Sequence, residues 1–205
     1  MAKDCFNVIV FRCNKEKPIL DFLNKINTLL ENNKREFVDL MESYNLNVDD
    51  YDGSGFKGSF RGQIIHCDDY LSYNDEEDEY YFYMDTETAW LPLMNTFDII
   101  IKHTDSEIKY YYTSEEPGMG IYINTDSSEI YLTPRFNVYL DYSNKVNISE
   151  GLQTFEECYR LIYDAMGWKF NNLKQAKERL RKFTKKCKYK KKVNFYFDIQ
   201  EYSYD

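Results

Sequence analysis

The chain has 205 residues, a formal charge of −9 and 18% aromatic residues, among them 20 Tyr and 14 Phe. That length suits one domain or two small ones with a real core, and the aromatic content excludes a disordered chain. The five cysteines, Cys5, Cys13, Cys67, Cys158 and Cys187, are odd in number, widely spaced and never C-x-x-C. Reduced, packed thiols in a reducing compartment fit this better than a disulfide framework or a zinc ribbon.

Residues 5–11, CFNVIVF, read as a strand that hands over through a polar turn to a helix with Pro18 in its first turn. That helix carries Leu20, Leu23, Ile26 and Leu30, and a second short one, about 35–44, carries Phe37, Leu40 and Met41. A polar loop, 45–55, precedes an alternating strand ending at Cys67, and 68–79 forms an acidic loop. YYFYMDTETAW is the next strand, 92–98 is ambiguous between helix and loop, and 97–101 is an apolar run. Strand-like runs follow at 107–113, 119–125 and 128–140, separated by the turn signals EEPG and NTDSS. Helix returns at Thr154, where Thr154 and Glu157 make a capping-box pattern and Gly167 ends the element. A helix over about 172–187 has Leu173, Ala176, Leu180, Phe183 and Cys187 on one face and a basic stripe on the other. An alternating strand, VNFYFDIQEY, closes the chain.

The charge is uneven. Residues 1–150 hold 13 Lys and Arg against 28 Asp and Glu, whereas 151–205 hold 13 against 7. The whole-chain field repels nucleic acid and anionic membrane, but the C-terminal element is basic. No apolar run approaches the roughly 18 residues of a membrane span, and the start lacks a small-residue cleavage site, so a cytoplasmic protein is expected.

Gly53, Gly55 and Gly58 spell G-x-G-x-x-G, yet no hydrophobic strand precedes them and no helix follows, so a turn is the better reading. His66 and Cys67 are neighbours on a strand and point to opposite faces, which disfavours a Cys–His nucleophile pair. Glu115, Glu116, His103 and Asp98 have the residue types for acid–base chemistry, but nothing in the sequence makes them converge. No cofactor or metal set is expected, since the acidic run lacks calcium-loop spacing. Two binding surfaces remain. The first is acidic: Asp68, Asp69, Asp75, Glu76, Glu77, Asp78 and Glu79. The second is basic: Lys174, Lys177, Arg181, Lys185, Lys186, Lys188 and Lys190, which suit phosphates, an acidic partner, or the acidic loop of a second copy in a homodimer.

Thr88-Ala89-Trp90 and then Pro92, followed by Glu116-Pro117-Gly118 between aromatic strands, resembles the YubB-type ferredoxin-like domain of plasmid- and phage-encoded proteins. The resemblance is good over about 40 residues and looser over 80–199. It marks Trp90, Pro92, Glu116 and Gly118 as motif residues and implies a ferredoxin-like fold, a mobile-element origin and a bacterial host cell. It implies structural roles for Trp90, filling a helix–sheet junction, and for Glu116, accepting backbone N–H bonds in a hairpin. It transfers no catalytic residue.

The expectation is an α+β protein: an antiparallel sheet with helices on one face, ferredoxin-like in its C-terminal half. Its divisions are an N-terminal subdomain at 1–67, the acidic loop at 68–79 and a domain at 80–205. The expected function is non-enzymatic docking on a host protein, a nucleic-acid-handling defence nuclease being the partner whose basic groove attracts the acidic surface. The alternative is a nucleic-acid-binding module that uses the basic helix and the Tyr-rich sheet.

Overall fold

The computed structural model describes residues 4–51, 60–104, 106–133, 135–142, 146–189 and 195–204. It is α+β, built on antiparallel sheets. The chain forms two compact units, 1–126 and 127–205.

In the first unit β1 (Asp4–Cys13) leads to α1 (Glu16–Glu31) and α2 (Phe37–Ser43), then to β2 (Gly62–Cys67). A short β3 (Ser72–Asn74) makes a hairpin with β4 (Glu79–Ala89), and α3 (Asn95–His103) returns the chain to β5 (Lys109–Glu116) and β6 (Ile121–Asn124). The strands lie in the order β2-β4-β1-β5-β6, with β3 also on β4, and every named pairing is antiparallel. Each helical crossover therefore skips one strand: β4 sits between β1 and β2, and β1 between β4 and β5. This is the split βαβ order, and it runs through 4–116 rather than through 80–199. The division expected at 67 and 80 falls instead at 126, because β1 and β2 both pair with β4.

One face of this sheet carries the helices. Ile9 and Phe11 of β1, Phe82 and Met84 of β4 and Ile64 of β2 pack with Ile19, Leu23 and Ile26 of α1, Phe37 and Leu40 of α2 and Phe97 and Ile100 of α3. Phe11 is the centre: its ring lies 5.0 Å from Phe22, 5.1 Å from Phe82 and 5.3 Å from Phe97. The apolar run at 97–101 is thus helical, with Phe97 and Ile100 one turn apart on the buried side of α3. Gly62 is required by close approach, since a Cβ there meets the Phe37 ring at 2.5 Å.

The same helix-covered face turns polar toward the start of β1. Asn7, almost wholly buried, places its Nδ2 3.2 Å from Cys5 O, 3.2 Å from Thr86 Oγ1 and 3.1 Å from Thr88 Oγ1. Its Oδ1 accepts the Ser114 hydroxyl at 2.6 Å. One amide thereby ties β1 to both of its neighbours, and buried polar groups are tolerated because they are paired.

In the second unit β7 (Phe136–Tyr142) is central between β8 (Val146–Leu152) and β9 (Phe195–Glu201), with α4 (Phe155–Met166) and α5 (Leu173–Tyr189) between β8 and β9 in the chain. Its core gathers Phe136, Val138, Cys158, Ile162, Phe170, Ala176 and Ile199. The capping box is made in full: Glu157 N donates to Thr154 Oγ1 at 3.2 Å and Thr154 N donates to Glu157 at 3.0 Å. Gly167 ends α4 with φ +67°, a conformation that favours glycine.

The described cysteines, Cys5, Cys13, Cys67 and Cys158, are free and buried. Burial pushes the thiols of Cys67 and Cys158 up to about 12 and that of Cys5 to about 11. These three should resist alkylation in the native protein even at mildly alkaline pH, because the thiolate is the nucleophile. Mass spectrometry after timed iodoacetamide treatment checks this: labelling at Cys5, Cys67 or Cys158 should wait on denaturant.

Candidate functional site

The acidic segment is a hairpin. β3 and β4 pair in register Ser72 with Tyr81, Tyr73 with Tyr80 and Asn74 with Glu79. Asn74 Oδ1 accepts the backbone N–H of Glu76 at 3.0 Å and of Glu77 at 3.3 Å, an Asx turn that shapes the tip. Asp78 closes the turn at φ +54°, a region short polar side chains tolerate, and accepts the Tyr73 hydroxyl. That hydrogen bond to a carboxylate pushes the Tyr73 hydroxyl up to about 12.

The seven acidic residues divide into structural and presented groups. Asp68 accepts the backbone N–H of Tyr83 at 2.8 Å and so secures the start of the hairpin. Glu79 is largely buried in an ion pair with Arg12 at 2.6 Å, and Arg12 also donates to Tyr111 at 3.0 Å and lies over its ring. Asp69, Asp75, Glu76, Glu77 and Asp78 are exposed. Asp75, Glu76 and Glu77 make no ion pair among the described residues. Tyr70, 82% exposed, stands beside them in sequence.

The face of the first sheet opposite α1, α2 and α3 carries further carboxylates. Residues directly opposite across antiparallel strands share a face. One row runs Gln63, Glu87, Phe6, Glu115 and Tyr122 across five strands, and the next contains Asp85, Val8, Thr113 and Asn124. Exposure rises along β1 toward its start: Val10 is buried, Val8 is 38% exposed and Phe6 56%. Glu87 accepts an N–H from Gln63 at 2.7 Å. Burial raises the Asp85 carboxyl above its ordinary range. Beside this row a cleft of about 270 Å³ is lined by Asp4, Glu36, Arg61, Gln63 and Glu87, among others. Sequence reading had not singled out Asp4, Phe6, Asp85 or Glu87. Their alternation along β1 and β4 is visible in the sequence, but which face α1, α2 and α3 cover is not.

In the second unit Lys174, Lys177, Arg181, Lys185 and Lys186 are exposed along α5 and make no ion pair among the described residues. Their neighbours are engaged: Lys182 pairs with Glu178 at 3.2 Å, and Arg179 donates to Lys169 O at 3.0 Å while lying over Trp168. The Lys188 side chain, Lys190 and the glycines 53, 55 and 58 lie outside the described residues.

The motif residues behave differently from one another. Glu116 is buried and accepts the backbone N–H of Met119 in the turn that holds Gly118, between β5 and β6. Trp90 does not fill a helix–sheet junction. It follows β4 at φ +67°, its ring 40% exposed beneath the Arg61 guanidinium, with Pro92 in the turn that leads to α3. Leu91 N donates to Ala89 O at 2.8 Å, closing a tight reversal about Trp90 that leaves it partly exposed.

The acid–base candidates are dispersed. Glu115 and Glu116 occupy opposite faces of β5, Asp98 accepts the Tyr110 hydroxyl at 2.6 Å, and His103 is exposed at the end of α3. Cys67 is buried while His66 is exposed on the other side of β2. A cleft of about 390 Å³ opens between α1 and α3, where Lys15 and Glu107 pair at 2.6 Å in front of Phe22, Ile100 and Ile108. Among the described residues no group of three or more His, Cys, Asp or Glu could hold a metal ion, and no helix is long and apolar enough to cross a membrane.

No family model matches the chain, and no curated protein matches it. Among solved structures it is similar to a protein provisionally described as a glycine cleavage system transcriptional repressor, at 9% identity over 97% of this chain and 98% of that one, with a TM-score of 0.28. A superposition that loose carries no argument about topology or function.

Proposed function

We propose that the protein is a non-enzymatic docking protein whose acidic first unit, a ferredoxin-like domain, binds a basic surface on another protein. The observation that carries this reading is the β3–β4 tip, where a built turn presents Asp75, Glu76 and Glu77 to solvent without ion pairs among the described residues. Residues 1–126 hold 11 Lys and Arg against 25 Asp and Glu, a formal charge of −14, so the field around the tip favours a cationic partner. A protein that grips nucleic acid offers such a surface, and the resemblance to phage and plasmid proteins makes a host defence nuclease the fitting class. In that role the hairpin occupies the groove that would hold phosphates.

Reversing three of these charges, Asp75→Lys, Glu76→Lys and Glu77→Lys, should weaken binding to the captured host protein by about a hundredfold or more, since close charge pairs at interfaces couple strongly. The check is capture from bacterial lysate with the wild-type chain, identification of the bound protein, and titration of wild type and variant against it at two salt concentrations. Equal affinity of the two sinks the reading.

A second reading rests on α5, whose exposed stripe of Lys174, Lys177, Arg181, Lys185 and Lys186 suits phosphates. Fluorescence anisotropy with single-stranded RNA, single-stranded DNA and duplex DNA separates it from the first. Binding that falls steeply with salt and is lost in Lys174→Glu, Lys177→Glu, Lys185→Glu protein would move the function to the second unit.

A further inference from the structure

The geometry points to the face of the first sheet opposite α1, α2 and α3 as a surface that reads an arginine side chain of the partner protein. This rests on the docking reading above and names its second point of contact.

Phe6, 56% exposed, and Val8, 38% exposed, lie two residues apart on β1 and form a short apolar strip on this face. Phe6 has Glu87 directly opposite on β4 and Glu115 directly opposite on β5, so an apolar platform stands between two carboxylates. Val8, the next residue on this face, has Asp85 opposite on β4. The adjoining cleft of about 270 Å³ adds Asp4 and Glu36 against a single cation among the described residues, Arg61. Arg61 is drawn toward the Trp90 ring, 5.7 Å away.

The chemistry of the occupant follows from these groups. An apolar ligand would cover Phe6 but bring no opposite charge to the carboxylates that flank it, whose burial costs desolvation. A nucleic acid would stack on the ring but bring phosphates against Glu87 and Glu115. A guanidinium satisfies both requirements, because its planar face lies on an aromatic ring while its N–H fork meets a carboxylate at the edge. A lysine meets the charge but lacks the planar fork. The partner is therefore a protein with an exposed arginine, which places that side chain over Phe6 while the acidic hairpin engages other cations of the same surface.

The test uses a labelled Gly-Arg repeat peptide and its Gly-Lys counterpart, titrated with the full chain by anisotropy at low salt. The Gly-Arg peptide should bind more tightly. Phe6→Thr, which keeps strand propensity at an exposed site, and Glu87→Gln should each weaken Gly-Arg binding about tenfold and narrow the preference over Gly-Lys. Thermal midpoints close to that of the wild type confirm that the variants fold. If both variants bind as the wild type does while the Asp75→Lys, Glu76→Lys, Glu77→Lys protein does not, the hairpin reading stands and the arginine site is overturned. If the wild type binds neither peptide at low salt, both readings fall. If the chain self-associates, and both Phe6→Thr and Arg181→Glu abolish that association, the occupant is α5 of a second copy and the partner-protein assignment is overturned.

Discussion

Replacing Asn7 by leucine is expected to destabilise the first unit by about 3 to 5 kcal/mol, although the two side chains have similar volumes, because several buried polar groups lose their partner at once and each orphan costs about 1 to 3 kcal/mol. Asn7 bridges Thr86 and Thr88 of β4 to Ser114 of β5, with Cys5 O as a further acceptor. Thr88 keeps a bond to Leu91 O at 2.7 Å, so the Ser114 and Thr86 hydroxyls bear most of the loss. Asn7→Asp gives a second, pH-dependent check. A carboxyl buried at this site has a raised folded pKa, so its destabilisation is small at acidic pH and grows as pH rises through that value. The chain has two tryptophans, Trp90 in the first unit and Trp168 in the second. In a Trp168→Phe background urea unfolding followed by Trp90 emission isolates the relevant transition. A midpoint unchanged by Asn7→Leu would remove the amide from its role as a tie between strands.

Phe11→Ala is expected to cost about 3 to 5 kcal/mol, a large share of the roughly 5 to 15 kcal/mol that holds a domain together. The ring touches aromatic neighbours from α1, β4 and α3 at once, so its removal leaves a cavity that no single side chain can fill. Tyr110, 5.7 Å away, is held by its hydrogen bond to Asp98 and is poorly placed to collapse into it. Phe6→Ala, five residues earlier on the same strand but on the face opposite α1, α2 and α3, should cost well under about 1 kcal/mol, as surface changes do. The same two-unit fluorescence assay reads both. Equal effects at Phe6 and Phe11 would contradict the assignment of faces.

That pair of phenylalanines shows where sequence reading stops. In CFNVIVF both faces of the strand are apolar, so alternation alone does not say which is covered, and it ranks Phe6 above Asn7 as a core residue. The opposite holds: Asn7 is buried and Phe6 exposed. Long-range pairing decides this, because polar partners for Asn7 arrive from residues about 80 and 107 positions away. At β8 the polar text of VNISEGL hides a strand that its pairing with β7 supplies. At 97–101 a short apolar run without clear period is helical because Phe97 and Ile100 meet the sheet.

Local chemistry determined what the sequence alone could tell: the capping box at Thr154 and the glycine stop at Gly167, the amphipathic stripes of α1, α4 and α5, and the acid–base asymmetry of the two ends of the chain. Each depends on residues a few positions apart, whose interactions form whatever the rest of the chain does. Tertiary structure alone decided the boundary at 126, the withdrawal of Asp68 and Glu79 into structural bonds, the exposure of Trp90, and the row that sets Phe6 between Glu87 and Glu115. These depend on which strand lies beside which. In a sheet whose crossovers skip a strand, that order brings together residues the sequence keeps far apart.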